Sequence, residues 1–160
     1  MGSNVYNKDM TNYDYSTDKP IADITEKEVA DILRATYNAV ILEYGHTNAY
    51  DIKARVNGKI FTFEVKEDFT CERTGNVGLE FECRGKPSGI NVSKADFYIY
   101  KVHTNNGIKV FIFKTIQLKN MIANNMYHRV VNGGDKGSNS MNYLFDYNTF
   151  STCGKCIFPR

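Results

Sequence analysis

The dipeptide Asn57-Gly58 lies between two runs that alternate polar and apolar residues, and it constrains the fold more than any other feature of the chain. Asn-Gly in this context is the strongest short-range signal for a β-hairpin, because both turn residues must adopt positive φ. Counting outward from the turn places Asp51 directly opposite Glu64. The sequence therefore predicts an antiparallel hairpin over residues 50–66 with a fixed register.

That register brings two carboxylates together with no counter-charge between them. Directly opposed hairpin residues have Cβ atoms about 4.5–5.5 Å apart, and like charges placed in this way are destabilising. A divalent cation between Asp51 and Glu64 is the simplest remedy. Lys66 follows Glu64 by two residues, so strand alternation places it on the same face. An Asp, a Glu and a Lys on one open face are what metal-assisted phosphodiester hydrolysis needs.

The two faces of the predicted hairpin differ in polarity. One face is apolar and needs a cover, most simply the preceding helix; it contains Ile52, Ala54, Val56, Phe61, Phe63 and Val65. The other face is too polar for a core and contains Asp51, Lys53, Arg55, Thr62, Glu64 and Lys66. Lys53 and Arg55 are predicted to contact nucleic acid. In the alternative interpretation, these charges form ordinary surface ion pairs, which contribute about 0–1 kcal/mol each.

The segment before the hairpin is predicted to form an arm and a helix. Residues 1–20 are polar and are interpreted as a flexible N-terminal arm, followed by one domain over residues 21–160. Thr25 and Glu28 have the spacing of a capping box at the start of a helix. Apolar residues then recur at three- and four-residue steps, and Gly45 is expected to end the helix. Glu28 is alternatively an outer acid of the site.

The segment after the hairpin is predicted to be mostly strands. The third strand runs from Val77 to Cys83 and places Glu80 and Glu82 on one face. Glu80 is preferred as a further acid of the site, because the residues leading into it have little bulk. Further strands are predicted over 96–102, 109–114, 128–131 and 143–147, with a helix over 115–124.

The order of helix, Asp-bearing strand, Glu-x-Lys strand and acidic third strand resembles the PD-(D/E)xK nuclease superfamily. The residues that match are Asp51, Glu64-Val65-Lys66 and Glu80. The resemblance implies an α/β fold with a restriction-endonuclease-like αβββαβ core, in which helices flank a mixed central sheet. It also implies a small phage- or resolvase-like nuclease that hydrolyses DNA. The expected activity is that of an endonuclease leaving 5′-phosphate ends.

The resemblance assigns a role to each of these residues. Asp51 and Glu64, with the Val65 carbonyl, would hold Mg²⁺, and Mn²⁺ is expected to substitute for it. Glu80 is the expected third acid of the metal site. Lys66 would orient or deprotonate the attacking water and stabilise the anionic transition state.

Two loops rich in Gly are predicted to contact the phosphates of DNA, since most protein–DNA hydrogen bonds go to the backbone. The first loop contains Lys86 and Ser88. The second contains Lys136, Ser138 and Asn139. A plain turn is the alternative interpretation of each loop.

Composition sets broad limits on the protein. A net charge of +2 is too small to indicate an anionic partner by itself. The sequence lacks an apolar run of about 18 residues and a secretory leader, so no membrane partner is expected. A cytoplasmic protein of a bacterium or a phage-infected cell is predicted. The four cysteines, including the Cys153-x-x-Cys156 pair, are expected to be reduced and incidental.

Three classes of function remain open from the sequence. The first is the metal-dependent DNA nuclease, which would act as a homodimer if both strands are cut. The second is a catalytically inactive nucleic-acid-binding or assembly module of the same fold. The third is a small α/β interaction protein without a nucleic-acid role.

Overall fold

The computed structural model describes residues 15–45, 49–133 and 139–160, with side chains from residue 19 onward. The helices are α1 (Tyr15–Tyr37), α2 (Cys71–Thr74), α3 (Thr115–Ala123) and α4 (Tyr147–Cys153), and a 3-10 turn spans Gly89–Asn91. The strands are β1 (Val40–Tyr44), β2 (Ile52–Val56), β3 (Lys59–Asp68), β4 (Asn76–Cys83), β5 (Lys86–Pro87), β6 (Phe97–Thr104), β7 (Gly107–Lys114), β8 (Arg129–Asn132), β9 (Ser140–Asp146) and β10 (Lys155–Phe158).

The centre of the molecule is a mixed six-stranded sheet in the order β1-β2-β3-β6-β7-β10. Its only parallel pair within the described residues is β3 with β6. The predicted hairpin is present: Ile52 pairs with Phe63, and Val56 pairs with Lys59. The turn residue Asn57 has φ 50°, as a two-residue turn of this type requires. The expected α/β fold with a mixed central sheet is confirmed.

Helix α1 covers one face of this sheet. Its buried residues Val29 and Leu33 pack with Ile52, Ala54 and Phe63 of the hairpin in one hydrophobic cluster. The apolar face of the hairpin is therefore covered by the preceding helix, as the alternation predicts. This packing leaves Glu64 and Lys66 on the opposite face.

The opposite face is covered by a second sheet and two helices. This four-stranded sheet has the order β5-β4-β9-β8. Its buried Phe145 packs with Phe150 of α4 and with Tyr98 and Phe113 of the main sheet. The predicted third strand of the αβββαβ core thus exists as β4, but it pairs with β9 and not with the hairpin.

The first helix differs from the prediction at both ends. It begins at Tyr15, so residues 15–20 of the predicted arm are helical; residues 1–14 lie outside the described residues. Thr25 is buried inside the helix and does not cap it. The helix ends at Tyr37 because Asn38 adopts φ 55°, a left-handed C-terminal conformation. Val40 begins a strand that pairs with β2. Gly45 therefore follows this strand, and the prediction that it ends the helix was wrong.

No helix in the described part of the chain combines the length and the apolar character needed to cross a bilayer.

Candidate active site

The polar residues of β3 lie in a cleft between the two sheets. A cavity of about 350 Å³ is lined by Asp51, Glu64, Lys66 and Glu80, together with the segment 87–93. The parallel pairing of β3 with β6 gives this cleft a floor of tyrosines, because Glu64 lies beside Tyr98. The structure therefore places the four predicted acidic and basic side chains around one space.

Asp51 is fixed at the entrance to β2. Its backbone N–H donates to the Phe63 carbonyl at 2.9 Å. Its carboxylate Oδ2 accepts a hydrogen bond of 2.7 Å from the backbone N–H of Val65. One carboxylate oxygen is thus held by the neighbouring strand, and the Asp51 side chain is aligned beside Glu64.

Glu64 is a largely buried acid, with 15% of its side chain exposed. Its Oε2 lies 3.4 Å from Lys66 Nζ, and its Oε1 accepts a hydrogen bond of 3.4 Å from the Ser93 hydroxyl. Burial raises the pKa of Glu64; Lys66 opposes the rise and the nearby Asp51 carboxylate adds to it. The net rise in pKa comes mainly from burial of the carboxylate, and the neighbouring Asp51 charge adds to it.

Lys66 keeps its proton at neutral pH. Burial alone would lower its pKa, but the nearby carboxylates of Glu64 and Asp51 outweigh that effect and raise the pKa. Of the two roles predicted for Lys66, the charge arrangement favours orientation and charge stabilisation by an ammonium group over deprotonation of water.

Glu80 reaches the same cavity from the second sheet. Its Oε2 accepts a hydrogen bond of 2.8 Å from the Ser88 hydroxyl. An irregularity in the pairing of β4 with β9 falls between Glu80 and Glu82. Glu80, the preferred acid, lines the cavity.

Glu26 is an acid near the site that the sequence interpretation missed. Burial and the Asp51 carboxylate are the main causes that raise its pKa to about 7, and Glu64 adds to the rise. Glu28, the acid considered instead, lies elsewhere and pairs with Lys101 at 2.7 Å. The signal was present, since a charged residue at position 26 shares a helix face with Val29 and Leu33.

Glu26 makes the stability of the metal-free protein depend on pH. Its pKa is raised in the folded state, so its contribution is full below pH 4.5 and is lost as pH rises through about 7. We expect Glu26→Gln to reduce the fall in melting temperature across this window. Thermal melts in EDTA at stepped pH measure the effect, with the exposed Glu72→Gln as control. An unchanged pH slope in Glu26→Gln would contradict this account.

The residues predicted to contact DNA lie at several places. Ser88 lines the cavity, and Lys86 is exposed next to it on β5. Arg55 is exposed on the hairpin, whereas Lys53 lies 3.5 Å from Glu43 and above the Tyr50 ring. Asn139 is exposed, and its carbonyl accepts a hydrogen bond from the Arg84 N–H. Lys136 and Ser138 lie outside the described residues.

No disulfide links the four cysteines, all of which lie within the described residues. Cys156 is exposed and Cys153 is half-buried. Over residues 15–45, 49–133 and 139–160, no group of three or more His, Cys, Asp or Glu side chains is arranged so that it could hold a metal ion.

No protein-family model matches the chain, and no curated protein is similar to it. Among solved structures, a bacterial homing endonuclease, I-Ssp6803I, is similar, with a TM-score of 0.42 and 21% identity. The superposition covers 58% of this chain and 66% of the endonuclease, so the chain spans less than two thirds of that protein's length.

Proposed function

We propose that this protein is a metal-dependent nuclease of the PD-(D/E)xK type that hydrolyses phosphodiester bonds in DNA. The observation that supports the proposal is the convergence of Asp51, Glu64, Lys66 and Glu80 on one cavity. The alternative of ordinary surface ion pairs accounts for the contact between Lys66 and Glu64. It does not account for the position of Asp51 beside them or of Glu80 in the same cavity.

The donors in the cleft suit a hard divalent cation. Asp51, Glu64 and the Val65 carbonyl offer only oxygen atoms, which Mg²⁺ prefers, and Mg²⁺ commonly takes one or two carboxylates and keeps several waters. Burial is the main cause of the raised pKa values of Glu64 and Glu26, and repulsion from neighbouring carboxylates adds to it; a bound cation would oppose both effects. When bound, such a cation polarises the scissile phosphate and acidifies a water molecule.

The protein's own groups account for the rest of the proposed mechanism. Asp51 is held by the Val65 N–H, and this contact keeps the carboxylates in register. The Lys66 ammonium stabilises negative charge as it develops on the phosphate. The Ser88 hydroxyl orients Glu80. Lys86, exposed on β5, and Arg55, exposed on the hairpin, would bind the DNA backbone.

A cleavage assay tests the proposal. We expect supercoiled plasmid to be nicked or linearised in Mg²⁺ or Mn²⁺ and to stay intact in EDTA, with 5′-phosphate ends on the products. Duplex, single-stranded, flapped and four-way DNA should be compared at low and physiological salt, because phosphate contacts weaken steeply with salt. DNA binding without cleavage would support the inactive module, and the absence of both would support an interaction protein. Homodimerisation and the cytoplasmic location remain predictions.

A further inference from the structure

The Tyr98 side chain lies beneath the proposed site and is completely buried, with 0% of the residue exposed. It pairs with Glu64 across the parallel strands and so shares a face with the cleft residues. Within the described residues, its hydroxyl makes no hydrogen bond of normal geometry. Buried hydroxyl groups are nearly always paired, so this one needs an explanation.

The hydrogen-bonding groups near Tyr98 are already engaged. Ser93 is the adjacent hydroxyl, and its interaction with Tyr98 lowers the pKa of Tyr98, but no hydrogen bond of normal geometry joins the two side chains. The Ser93 Oγ donates instead to Glu64 Oε1 and accepts the Ala95 N–H at 3.3 Å. Lys66 lies near enough that its positive charge opposes the rise in the pKa of Tyr98 caused by burial. The Tyr98 oxygen therefore has no hydrogen bond of normal geometry and lies near an ammonium group.

The present partner of Lys66 is the carboxylate that the proposed cation would use. Lys66 Nζ lies 3.4 Å from Glu64 Oε2. A cation that takes Glu64 weakens this ion pair, because the carboxylate charge is then shared with the metal. The ammonium must then find another acceptor or turn into solvent, since 41% of the Lys66 side chain is exposed.

We propose that Tyr98 is a positioning residue whose hydroxyl oxygen accepts a hydrogen bond from the Lys66 ammonium once Glu64 is engaged by a divalent cation. This inference rests on the proposed function for the presence of that cation. The hydrogen bond holds the ammonium inside the cleft, where negative charge develops on the phosphate. It also gives the buried hydroxyl the partner that it otherwise lacks.

Tyr100 provides a matched control on the same strand. It lies two residues from Tyr98 on the same face, and it is also buried. Its hydroxyl donates to the Gly78 carbonyl at 3.1 Å, so its role is structural. A Phe substitution at either position removes one oxygen atom. At Tyr98 this oxygen has no hydrogen bond of normal geometry, whereas at Tyr100 it is hydrogen-bonded to Gly78.

The test compares Tyr98→Phe with Tyr100→Phe in the full chain. The first readout needs no catalysis: the side-chain ammonium signal of Lys66 is followed by NMR during titration with Mg²⁺ alone. We expect Mg²⁺ to shift and sharpen this signal in the wild type and in Tyr100→Phe, but not in Tyr98→Phe. The second readout is nicking, for which we expect Tyr98→Phe to lower kcat about tenfold with KM changed less than about twofold.

The stability readout separates the two tyrosines. Tyr98→Phe should keep or raise the melting temperature, because it removes an unpaired buried hydroxyl, whereas Tyr100→Phe should lower it. An identical Lys66 response to Mg²⁺ in Tyr98→Phe and wild type would overturn the inference, as would a wild type that does not bind Mg²⁺. A wild type that binds Mg²⁺ and shows the Lys66 response, but cleaves no DNA, would refute the nuclease proposal and leave this inference standing.

Discussion

Glu64→Gln is expected to lower the rate of DNA cleavage at least about 100-fold while the protein stays folded. The substitution keeps the shape of the side chain but removes the charge that a cation would bind. The pKa of Glu64 is raised in the folded state, so its carboxylate opposes folding increasingly as pH rises above its ordinary value of 4.5. A neutral Gln therefore leaves stability at pH 8 unchanged or increased. Single-turnover cleavage and thermal melts of the same samples measure both effects.

Lys66→Met completes the test of this pair. It removes the ammonium but keeps most of the length of the side chain, and we expect a loss of rate of similar order, about 100-fold. Glu82→Gln is the control, because it neutralises an acid on β4 near Glu80 and should leave the rate within about twofold of wild type. Equal rates in all three variants would show that the cleft does not perform the reaction.

Lys101→Met is expected to cause the largest loss of stability, about 3 kcal/mol of unfolding free energy. Lys101 is buried under α1 and lies 2.7 Å from Glu28 and 3.3 Å from Glu67. Glu67 is 8% exposed and also contacts His103 at 2.7 Å. Without the ammonium, Glu67 retains only part of its charge compensation, and one link between α1 and the sheet is lost.

Chemical denaturation of Lys101→Met measures this loss, with the exposed strand residue Lys59→Met as control. The control should lie within about 0.5 kcal/mol of wild type. Burial alone would raise the pKa of Glu67, but His103, Thr25 and Lys101 together lower it. Its contribution to stability is therefore present above pH 4.5 and is lost as pH falls through the lowered value, so the variant should lose less stability in acid. A Lys101→Met protein as stable as its control would contradict this role.

The hairpin and its register were predictable from sequence because they depend on local chemistry. The Asn57-Gly58 turn and strict alternation fix which residues face each other, and a slip of one residue would expose the whole apolar face. The same reasoning applies to β6, β7 and α3, which lie close to their predicted positions. The strands β6 and β7 pair with each other through a short turn, whereas the parallel pairing of β6 with β3 joins more distant parts of the chain.

Elements that depend on distant partners were not predictable. The β4 strand was found, but its partner β9 lies more than 50 residues away, so the second sheet could not be inferred. The edge strands β1 and β10 have weak patterns of their own and exist because β2 and β7 offer unpaired edges. The apolar stripe of α1 continues past Tyr37 in sequence, but Asn38 diverts the chain into β1.

The residues of the candidate site also differ in whether local or distant contacts determine their positions. Asp51, Glu64 and Lys66 follow from the hairpin, and Glu80 follows from the alternation of β4. Glu26 shares a helix face with Val29 and Leu33 in the sequence, but its distance from the site depends on how α1 docks on the sheet. This docking is fixed in part by the contacts of Thr25 and Glu28 with Glu67 and Lys101.

Paramagnetic NMR with Mn²⁺ tests most directly whether the hairpin register creates a metal site. Mn²⁺ should be titrated into the labelled protein with and without a short DNA duplex, and the broadening of each backbone amide signal should be recorded. We predict that the amides of Asp51, Glu64 and Val65 broaden first, while that of Cys156, at the far edge of the main sheet, is affected last. Uniform broadening, or broadening centred away from the cleft in both conditions, would contradict the account.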